Sequence, residues 1–398
     1  MRKILFITTR NVFTTSGEFR LIKNRTKTLY EKWGIITDFI AISSKEKIRK
    51  RNENIGYNSI INPIEINFYN PVSVILSFFH VRREIIKKLN RNDYKCIVLS
   101  GVLTYVFINL IKKYRSDIPI IADIHGATEE LIEFKDDNFL KRFMKNLLYR
   151  YNEYSQKKRL NLFDGTFVVS NALVEYLNKK YSLNKNIKHY VVPCALENID
   201  FDEKFVKQNR NIYRKKYGID KDEILFIYSG GVSPWQCIDK SIELFTKFQL
   251  KSNRKAKLLI LSHRIDKVKS ITEGNESIIL DSISPDKVKK VLCAGDYAFL
   301  IRDNFITNNV AFPNKFLEYV QSGMKIITTP HVYDVSKQIE KYKIGIIIDL
   351  EKDSIDKLEK YVNERNVFND FENRKKLLHN LSFEKTLSSF VKDLILNK

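Results

Sequence analysis

The stretch Ile224-Leu-Phe-Ile-Tyr-Ser229-Gly230-Gly231 decides the fold of this chain. Its unbroken apolar run predicts a strand buried on both faces, as in a parallel sheet. The two glycines that follow at once indicate a tight turn, after which the sequence takes up a helical period near Asp239. A buried strand, a glycine turn and a helix form the repeating unit of a parallel α/β sheet.

The same rhythm runs through both halves of the chain, where short apolar runs alternate with longer stretches of helical period. We therefore predict the α/β class, with two Rossmann-like, doubly wound domains that face each other across a cleft. The predicted strands are residues 4–8, 35–42, 96–100, 118–124, 165–170 and 190–193, then 224–229, 257–262, 277–281, 297–301, 325–329 and 345–349.

The predicted domain boundary lies near Glu197 to Phe205, where the strand pattern stops and a charged helical stretch, residues 209–217, begins. Residues 353–398 carry no strand pattern and read as helices, the last of them spanning 383–396. We expect a first domain at 1–200, a second at 201–380, and a final helix within 381–398.

The chain is basic, with 69 Lys and Arg against 47 Asp and Glu and a net charge of +22 among 398 residues. The excess is uneven, because residues 1–198 carry +15 and the remainder +7. A field of this sign attracts nucleic acid, an anionic membrane face or phosphorylated small molecules. A Lys-, Asn- and Ile-rich composition typical of an AT-rich genome explains part of the charge but not its asymmetry. The 43% hydrophobic content excludes a disordered chain.

The four cysteines lie far apart, so neither a disulfide framework nor a zinc site is indicated, and a reducing cytoplasm fits best. No apolar run reaches the roughly 18 residues of a membrane span. Residues 74–91 and 138–160 mix basic with aromatic and aliphatic residues. Either they lie on an anionic membrane face, or their apolar stripes pack on the sheet and their Lys and Arg residues are solvated.

Two loops of the first half follow predicted strands. The loop Thr14 to Gly17 has a single glycine and no dinucleotide fingerprint, so a plain tight turn and a ligand contact are equally compatible with it. In Asp123-Ile-His125-Gly126, a strand end followed by glycine and an acidic helix start leaves His125 on the ligand side of the sheet. Asp123 would orient His125 or bond nearby backbone.

Two loops of the second half contain more residues that are suited to bind a ligand. Residues 229–236 contain the paired glycines, which let a ligand approach the backbone beside a helix N-terminus. Residues 302–319 begin with Arg302, and Pro313 there suits a helix start. Lys315 and Glu318 share one helix face and suit a phosphate and a sugar hydroxyl respectively. The alternative for this pair is an ordinary surface ion pair.

In order and spacing, these motifs resemble those of a GT-B glycosyltransferase of the large retaining family that includes bacterial transferases for lipopolysaccharide, capsule and teichoic acid. The similarity covers the whole chain. The stretches that carry it are Ser16-Gly17, Asp123-Ile-His125, Val168-Val-Ser170, Val191-Val-Pro193, Ser229-Gly-Gly231, and Pro313-x-Lys315-x-x-Glu318-Tyr319 with Gly323.

The resemblance implies a nucleotide-sugar donor bound by the second domain, an acceptor bound by the first, and a final helix that crosses back to the first. The expected function is transfer of a hexose-type sugar to a cell-surface glycan or lipid-linked acceptor, with retention and without a metal or cofactor. His125 would touch the sugar, Glu318 the ribose and the Gly230 turn the diphosphate. By this resemblance the catalytic residues are His125, Lys315 and Arg302, and the donor-binding residues are Gly17, Gly230, Gly231, Arg264, Asn309, Ala311, Phe312, Pro313 and Glu318.

Two departures from the family pattern stand out. The family often carries a carboxylate eight positions before the Glu318 equivalent, where this chain has Val310. Loop amides around residues 308–312 would then hold the sugar. The family's phosphate-binding Lys after the glycine turn is replaced by Gln236 or a neighbour, with Lys315 and Arg302 favoured to supply the cation.

Other functions remain open at this point. A nucleotide-sugar epimerase of the same fold would need more acid and base groups than His125, and a non-catalytic partner subunit would tolerate Val310. A nucleic-acid-binding protein has the charge but lacks any recognition module. The matches Asp200-x-Asp202 and Asp220-x-Asp222 follow no strand end, so they do not indicate a metal site. We expect a cytoplasmic enzyme with peripheral attachment to the inner membrane face.

Overall fold

The computed structural model describes residues 2–14, 17–49, 59–67, 70–134, 138–194, 196, 201–352, 354–364 and 370–396. The chain forms two compact units. The first contains Met1–Glu197 together with Leu381–Lys398, and the second contains Asn198–Asn380. The sequence predictions place these boundaries after residues 200 and 380.

The first unit is built on a seven-stranded sheet with the order β3-β2-β1-β4-β5-β6-β7. All pairings are parallel, and most strand residues are buried because helices cover the sheet. The strands are β1 (Lys3–Thr8), β2 (Ile36–Ser43), β3 (Ile61–Glu65), β4 (Tyr94–Ser100), β5 (Ile120–Ile124), β6 (Gly165–Val168) and β7 (Lys188–Val191).

The helices between these strands begin at side chains that cap free backbone amides. Asn70 accepts from the amides of Val72 and Ser73, and Ser170 accepts from the amide of Leu173. The helices are α1 (Gly17–Trp33), α2 (Lys45–Arg49), α3 (Pro71–Arg91), α4 (Ile108–Tyr114), α5 (Glu130–Glu133), α6 (Phe139–Arg159) and α7 (Asn171–Tyr181), with 3-10 turns at Val102–Phe107 and Leu160–Leu162.

The second unit has a six-stranded parallel sheet with the order β10-β9-β8-β11-β12-β13. Its strands are β8 (Ile224–Ser229), β9 (Ala256–Leu261), β10 (Ile278–Asp281), β11 (Tyr297–Leu300), β12 (Lys325–Thr328) and β13 (Gly345–Ile347). Its helices are α8 (Glu203–Lys216), α9 (Ile238–Lys251), α10 (Ile265–Thr272), α11 (Pro285–Leu292), α12 (Ile306–Asn309), α13 (Asn314–Gln321), α14 (Tyr333–Tyr342), α15 (Ser354–Asn363) and α16 (Phe371–Asn380), with a 3-10 turn at Pro234–Gln236.

The two-domain α/β prediction is confirmed, and the differences in detail have local causes. The strand β3 was not predicted because Asn62 and Pro63 interrupt its apolar pattern, although proline is tolerated at a sheet edge. Helix α8 begins at Glu203 rather than at residue 209, since Asp202 accepts a hydrogen bond from the amide of Phe205 at 3.0 Å. Residues 197–200 of the predicted junction, which include Asp200, lie outside the described residues.

The predicted return of the final helix to the first unit is confirmed. Helix α17 (Phe383–Val391) continues into a π-turn at Lys392–Leu396. The ring of Phe390 lies 4.6 Å from that of Phe167 and 5.5 Å from that of Tyr190. The carboxylate of Asp393 contacts Lys188 at 3.0 Å, so apolar and ionic contacts together hold this helix on β6 and β7.

In the second unit, a buried ionic cluster attaches α16 to the sheet. The carboxylate of Asp370 accepts from Lys325 at 2.9 Å and from Arg374 at 2.8 and 2.9 Å. Arg374, which is 0% exposed, also donates to the carbonyls of Val320 and Met324. One carboxylate thus neutralises two buried cations.

Replacing Asp370 with alanine is expected to lower the free energy of unfolding by about 3–5 kcal/mol, because it leaves two buried cations without a counterion. Chemical denaturation followed by circular dichroism measures this. The matched control is Glu372→Ala, which removes an exposed ion pair with Lys375 and should cost at most about 1 kcal/mol. Equal losses in the two variants would contradict the assignment of the cluster as a structural centre.

Candidate functional site

The candidate site of the second unit lies where its strand order reverses. Strands β8 and β11 are neighbours in the sheet, although two strands separate them in the chain. Open parallel sheets bind ligands beyond the carboxyl ends of the strands at this position. Here β8 is followed by the Gly230 turn, and β11 is followed by Arg302.

The Gly230 turn brings side chains unusually close to the backbone. A Cβ atom at Gly230 would overlap the ammonium of Lys315 and would lie 2.6 Å from Oε1 of Gln236. At Gly231, the nearest atom to a Cβ would be Nε2 of Gln236 at 3.5 Å, an ordinary contact. Of the two predicted glycines, Gly230 is therefore the one at which the geometry requires the absence of a side chain.

Helix α13 holds the peptide groups at the end of β8. Pro313 is its N-cap residue, as the sequence predicts for a helix start. The ammonium of Lys315 donates to the Ser229 carbonyl, and the hydroxyl of Tyr319, one turn later, accepts from the Ser229 amide at 3.0 Å. Burial lowers the pKa of Lys315 to about 8, with Arg302 adding to the decrease and Glu318 opposing it.

Arg302 is a buried cation. Among the described residues, its guanidinium donates hydrogen bonds only to backbone carbonyls. It is 6% exposed, and its Nη1 donates to the carbonyls of Ile301 at 2.7 Å and Gln236 at 3.1 Å. Burial lowers the pKa of its guanidinium. In the described part of the chain, Arg302 forms no ion pair with a carboxylate.

Lys315 and Arg302 contact the same turn, since the Lys315 ammonium lies beside Gly230 and Arg302 donates to the carbonyl of Gln236. Neither cation has a carboxylate partner within the described ranges. Desolvated cations without a counterion raise the free energy of a folded protein. An anion bound beyond the end of β8 would relieve this cost. The arrangement therefore suits a phosphate or diphosphate group.

Glu318 lies on α13 and does not pair with Lys315, so the surface ion pair considered from the sequence is not formed. Its side chain is half-buried. Its carboxylate accepts no hydrogen bond from any residue that the structure describes. A carboxylate in this state can accept hydrogen bonds from the hydroxyl groups of a ligand.

Most backbone amides in the loop before α13 donate hydrogen bonds to carbonyls of the same segment. The amides of residues 308–311 all donate to carbonyls within the α12 turn, at 2.9–3.2 Å. Of the amides predicted to replace the carboxylate absent at Val310, only that of Phe312 has no acceptor within the described residues. Val310 itself is 3% exposed, so its side chain is part of the core.

The other residues predicted to bind the donor lie in the loop before α13, after β9, and in the first unit. The side-chain amide of Asn309 lies 3.0 Å from the side chain of Asn304, and Ala311 is half-buried. Arg264 follows β9, and its side chain is 44% exposed and 3.7 Å from Asp266. Arg264 is not among the charged groups that shift the pKa of Lys315 or of Arg302. Gly17 begins α1 in the first unit, and the preceding Ser16 lies outside the described residues.

The first unit places His125 in a buried polar cluster. Its Nε2 lies 2.8 Å from the carboxylate of Asp123, which also accepts from Arg25 at 2.8 Å and Ser100 at 2.7 Å. Burial by itself would raise the pKa of Asp123, but His125 and Arg25 outweigh this effect and hold that pKa below its usual value. Asp123 thus orients His125, one of the two roles considered from the sequence.

Sequence analysis did not identify Arg25 or Ser100 as members of this cluster. Arg25 is 1% exposed, and it shares a helix face with Ile22 and Leu29, which are also buried. A cation inside an apolar stripe is the signal that predicts a buried carboxylate partner. The partner, Asp123, is 98 residues away in the chain, so the sequence alone could not identify it.

No group of three or more His, Cys, Asp or Glu residues in the described ranges is arranged to hold a metal ion. Of the two Asp-x-Asp matches, Asp202 caps α8 and Asp200 lies outside those ranges. No helix among the described residues is both long enough and apolar enough to cross a bilayer.

Comparison with known proteins agrees with this geometry. Residues 209–378 match the family described as glycosyl transferases group 1. This range lies entirely within the second unit and includes both cations and Glu318. A search of curated proteins finds no match.

Solved structures show the same fold over the full chain. A glycosyltransferase from Rickettsia africae ESF-5 is 14% identical, with a TM-score of 0.67 over 98% of this chain and 97% of that one. WaaG, a glycosyltransferase involved in lipopolysaccharide biosynthesis, is 12% identical, with a TM-score of 0.66 over 98% and 99%. The structure of trehalose-6-phosphate from E. coli bound with UDP-2-fluoro glucose is 8% identical, with a TM-score of 0.64 over 98% of each chain.

The chain therefore has the fold of these solved glycosyltransferases, and part of it matches the glycosyl transferases group 1 family. Its second unit contains a glycosyl transferases group 1 domain, which spans residues 209–378.

The lowered pKa of Lys315 predicts a pH-dependent stability difference between the wild type and Lys315→Met. Below about pH 8 the wild type keeps a buried charge, which costs free energy in the folded state. Between about pH 8 and 10.5 the folded lysine is largely neutral while the unfolded lysine remains protonated, so the wild type gains stability relative to the variant. Melting temperatures of both proteins from pH 7 to 10 measure this trend. A difference that stays constant with pH would contradict it.

Proposed function

We propose that this glycosyltransferase moves a hexose-type sugar from a nucleoside-diphosphate donor to a cell-surface glycan or a lipid-linked acceptor. One observation carries the proposal: the buried cation Arg302 and the half-buried cation Lys315 lie beyond the end of β8 without a carboxylate partner in the described part of the chain. Helix α13 presents its first amides at the same place, which adds a partial positive charge.

The donor would bind with its diphosphate against the Gly230 turn, where the missing side chain allows close approach. Arg302 and Lys315 would neutralise the phosphate oxygens, and Glu318 would accept hydrogen bonds from the ribose hydroxyls. The E. coli structure that shares the fold has UDP-2-fluoro glucose bound, which supports a nucleoside-diphosphate sugar as the donor class.

The proposed chemistry follows from where charge develops. Breaking the bond between the anomeric carbon and the diphosphate oxygen leaves positive charge on the sugar and negative charge on the leaving group. Fixed cations and helix dipoles stabilise the leaving group without a metal. The acceptor oxygen then bonds to the anomeric carbon from the face that the diphosphate leaves. Its proton passes to a leaving phosphate oxygen, and the configuration is retained.

His125 would contact the sugar and stabilise its distorted transition state. Its ring is fixed by Asp123 at 2.8 Å, and Arg25 in turn fixes Asp123 at the same distance. This leaves the second ring nitrogen of His125, Nδ1, for a sugar hydroxyl. Pre-orientation of this kind lowers the barrier because little reorganisation is needed during the reaction.

The first unit would bind the acceptor at the cytoplasmic face of the membrane. Its excess of basic residues supports an acceptor with phosphate or lipid-linked character. WaaG, which shares the fold, acts in lipopolysaccharide biosynthesis.

Binding of nucleoside diphosphates tests the proposal directly. We expect UDP, GDP, ADP, CDP or dTDP to raise the melting temperature, since a ligand that binds only the folded state stabilises it. Gly230→Ala should weaken the binding of the active nucleotide by about tenfold or more, because the new methyl group displaces the Lys315 ammonium. Gly231→Ala is the matched control and should bind nearly as the wild type does, since its methyl group makes only ordinary contacts.

The absence of a shift with every nucleotide in the panel would contradict the proposed donor class. Equal affinities of the two alanine variants would instead remove Lys315 and the Gly230 turn from the binding site. Wild-type circular dichroism spectra of both variants establish that the comparison is between folded proteins.

Glu318→Ala and His125→Ala should separate binding from transfer. Loss of hydrogen bonds to a charged acceptor costs about 1.5–3 kcal/mol, so Glu318→Ala should weaken nucleotide binding by about tenfold or more. His125→Ala should leave nucleotide binding unchanged and lower kcat by about a hundredfold. Calorimetric titration and single-turnover transfer measure the two effects. Wild-type turnover in both variants would contradict these roles.

A further inference from the structure

Helix α6 presents its apolar stripe to solvent. Eight large apolar side chains recur along it with helical spacing, and each is at least 36% exposed. An amphipathic helix that covered the sheet would bury this stripe, so that interpretation of the sequence is wrong for α6. The exposed residues are Phe139 (72%), Leu140 (67%), Phe143 (51%), Met144 (53%), Leu147 (45%), Leu148 (41%), Tyr151 (36%) and Tyr154 (58%).

The charged residues that α6 exposes are mostly basic. Residues 139–159 contain seven Lys and Arg residues and one acidic residue, Glu153. Glu153 faces the protein, where it accepts from Tyr181 at 2.7 Å and pairs with Lys180 at 2.8 Å. Its contact with Thr128 anchors the end of α6 next to the His125 loop. The anchored helix therefore exposes mainly cations and apolar groups, and its one carboxylate is half-buried and paired with Lys180.

The first half of α3 has the same character. Its large apolar side chains are exposed, whereas Val81, Ile85 and Leu89 in the second half are buried. Arg82, Arg83 and Lys87 are also exposed. The exposed apolar residues are Val72 (63%), Val74 (38%), Ile75 (56%), Leu76 (63%), Phe78 (40%) and Phe79 (58%).

Both helices border the segment that follows β4. The ring of Phe78 stacks on that of Phe107 at 5.0 Å, and α3 also contacts α4. Helix α6 contacts the 3-10 turn Val102–Phe107, which ends at the same Phe107. The exposed stripes of α3 and α6 therefore belong to one region of the first unit, which we name the α3/α6 surface.

We propose that the α3/α6 surface docks on an anionic lipid bilayer, with its apolar side chains among the acyl chains and its Lys and Arg residues at the headgroups. Charge complementarity selects this occupant. A second copy of the chain would bring two basic surfaces together and be repelled. A nucleic acid would use the cations but leave the apolar stripe exposed to water.

The inference rests on the proposed function for its biological meaning, since docking would bring the enzyme to a lipid-linked acceptor. Docking itself can be measured without transfer. Vesicle binding and nucleotide binding report on different units, so one proposal can fail while the other stands.

The experiment is co-sedimentation of the full chain with vesicles of phosphatidylcholine containing about one third phosphatidylglycerol. We expect binding to these vesicles to be at least about tenfold tighter than to pure phosphatidylcholine, and to weaken as salt is added. Equal binding to both kinds of vesicle, or to neither, would overturn the proposal.

Neutralising three basic residues of α6 should weaken vesicle binding by at least about tenfold. The control removes the same charge from exposed positions of the second unit and should bind as the wild type does. The α6 variant carries Lys141→Gln, Arg142→Gln and Lys145→Gln, and the control carries Lys337→Gln, Lys357→Gln and Lys360→Gln. Equal losses in both would show that net charge alone attracts the chain, which contradicts a defined surface.

Replacing three exposed apolar residues of α6 with glutamine, a good helix former, should also weaken vesicle binding by at least about tenfold. The α6 variant carries Phe143→Gln, Met144→Gln and Leu147→Gln, and the control carries Ile212→Gln, Leu250→Gln and Ile271→Gln at exposed positions of the second unit. An unchanged α6 variant would overturn insertion into the bilayer. Sedimentation velocity without lipid completes the test, because a dimer abolished by the α6 variant would assign the surface to a second copy.

Discussion

Burial of charge without a counterion is the constraint on which the second unit depends. Arg302 and Lys315 are held by backbone carbonyls of Ile301, Gln236 and Ser229. Carbonyl dipoles orient these cations but do not neutralise them, so the folded chain carries an unrelieved electrostatic cost. The Gly230 turn makes the arrangement sterically possible, since a side chain there would occupy the space of the Lys315 ammonium.

In the first unit, by contrast, the buried cation has a carboxylate partner. Arg25 pairs with Asp123 at 2.8 Å, and the pair is completed by Ser100 and His125. The buried cation of this cluster is neutralised by a carboxylate, and that carboxylate also fixes the His125 ring. The contrast separates a part of the molecule where charges are paired from a part where, among the described residues, two cations have no carboxylate partner. The same contrast explains why the Lys325–Asp370–Arg374 cluster is structural even though it is just as buried.

The sequence predicted the alternation of strands and helices well, because apolar runs and glycine turns are local signals. It also placed the Gly230 turn, Lys315 and Glu318 at strand ends and at one helix start. What it could not predict depends on contacts between distant residues. Arg25 is paired with Asp123 across 98 positions, and Lys315 bonds to a carbonyl 86 positions away rather than to Glu318, its neighbour on the helix. Periodicity likewise predicted an amphipathic α6 but not whether its stripe would be covered, since the pattern is the same in both cases.

The pairing of α17 with β6 and β7 has a consequence for synthesis of the chain. Residues 198–380 form an uninterrupted body inserted into the first unit, whose last helix is translated only after that body. While the ribosome is still making the second unit, Phe167 and Tyr190 lack the Phe390 ring that later covers them. The nascent first unit can therefore pair all seven of its strands early, but β6 and β7 receive the helix that covers them only after residues 383–391 have been synthesised.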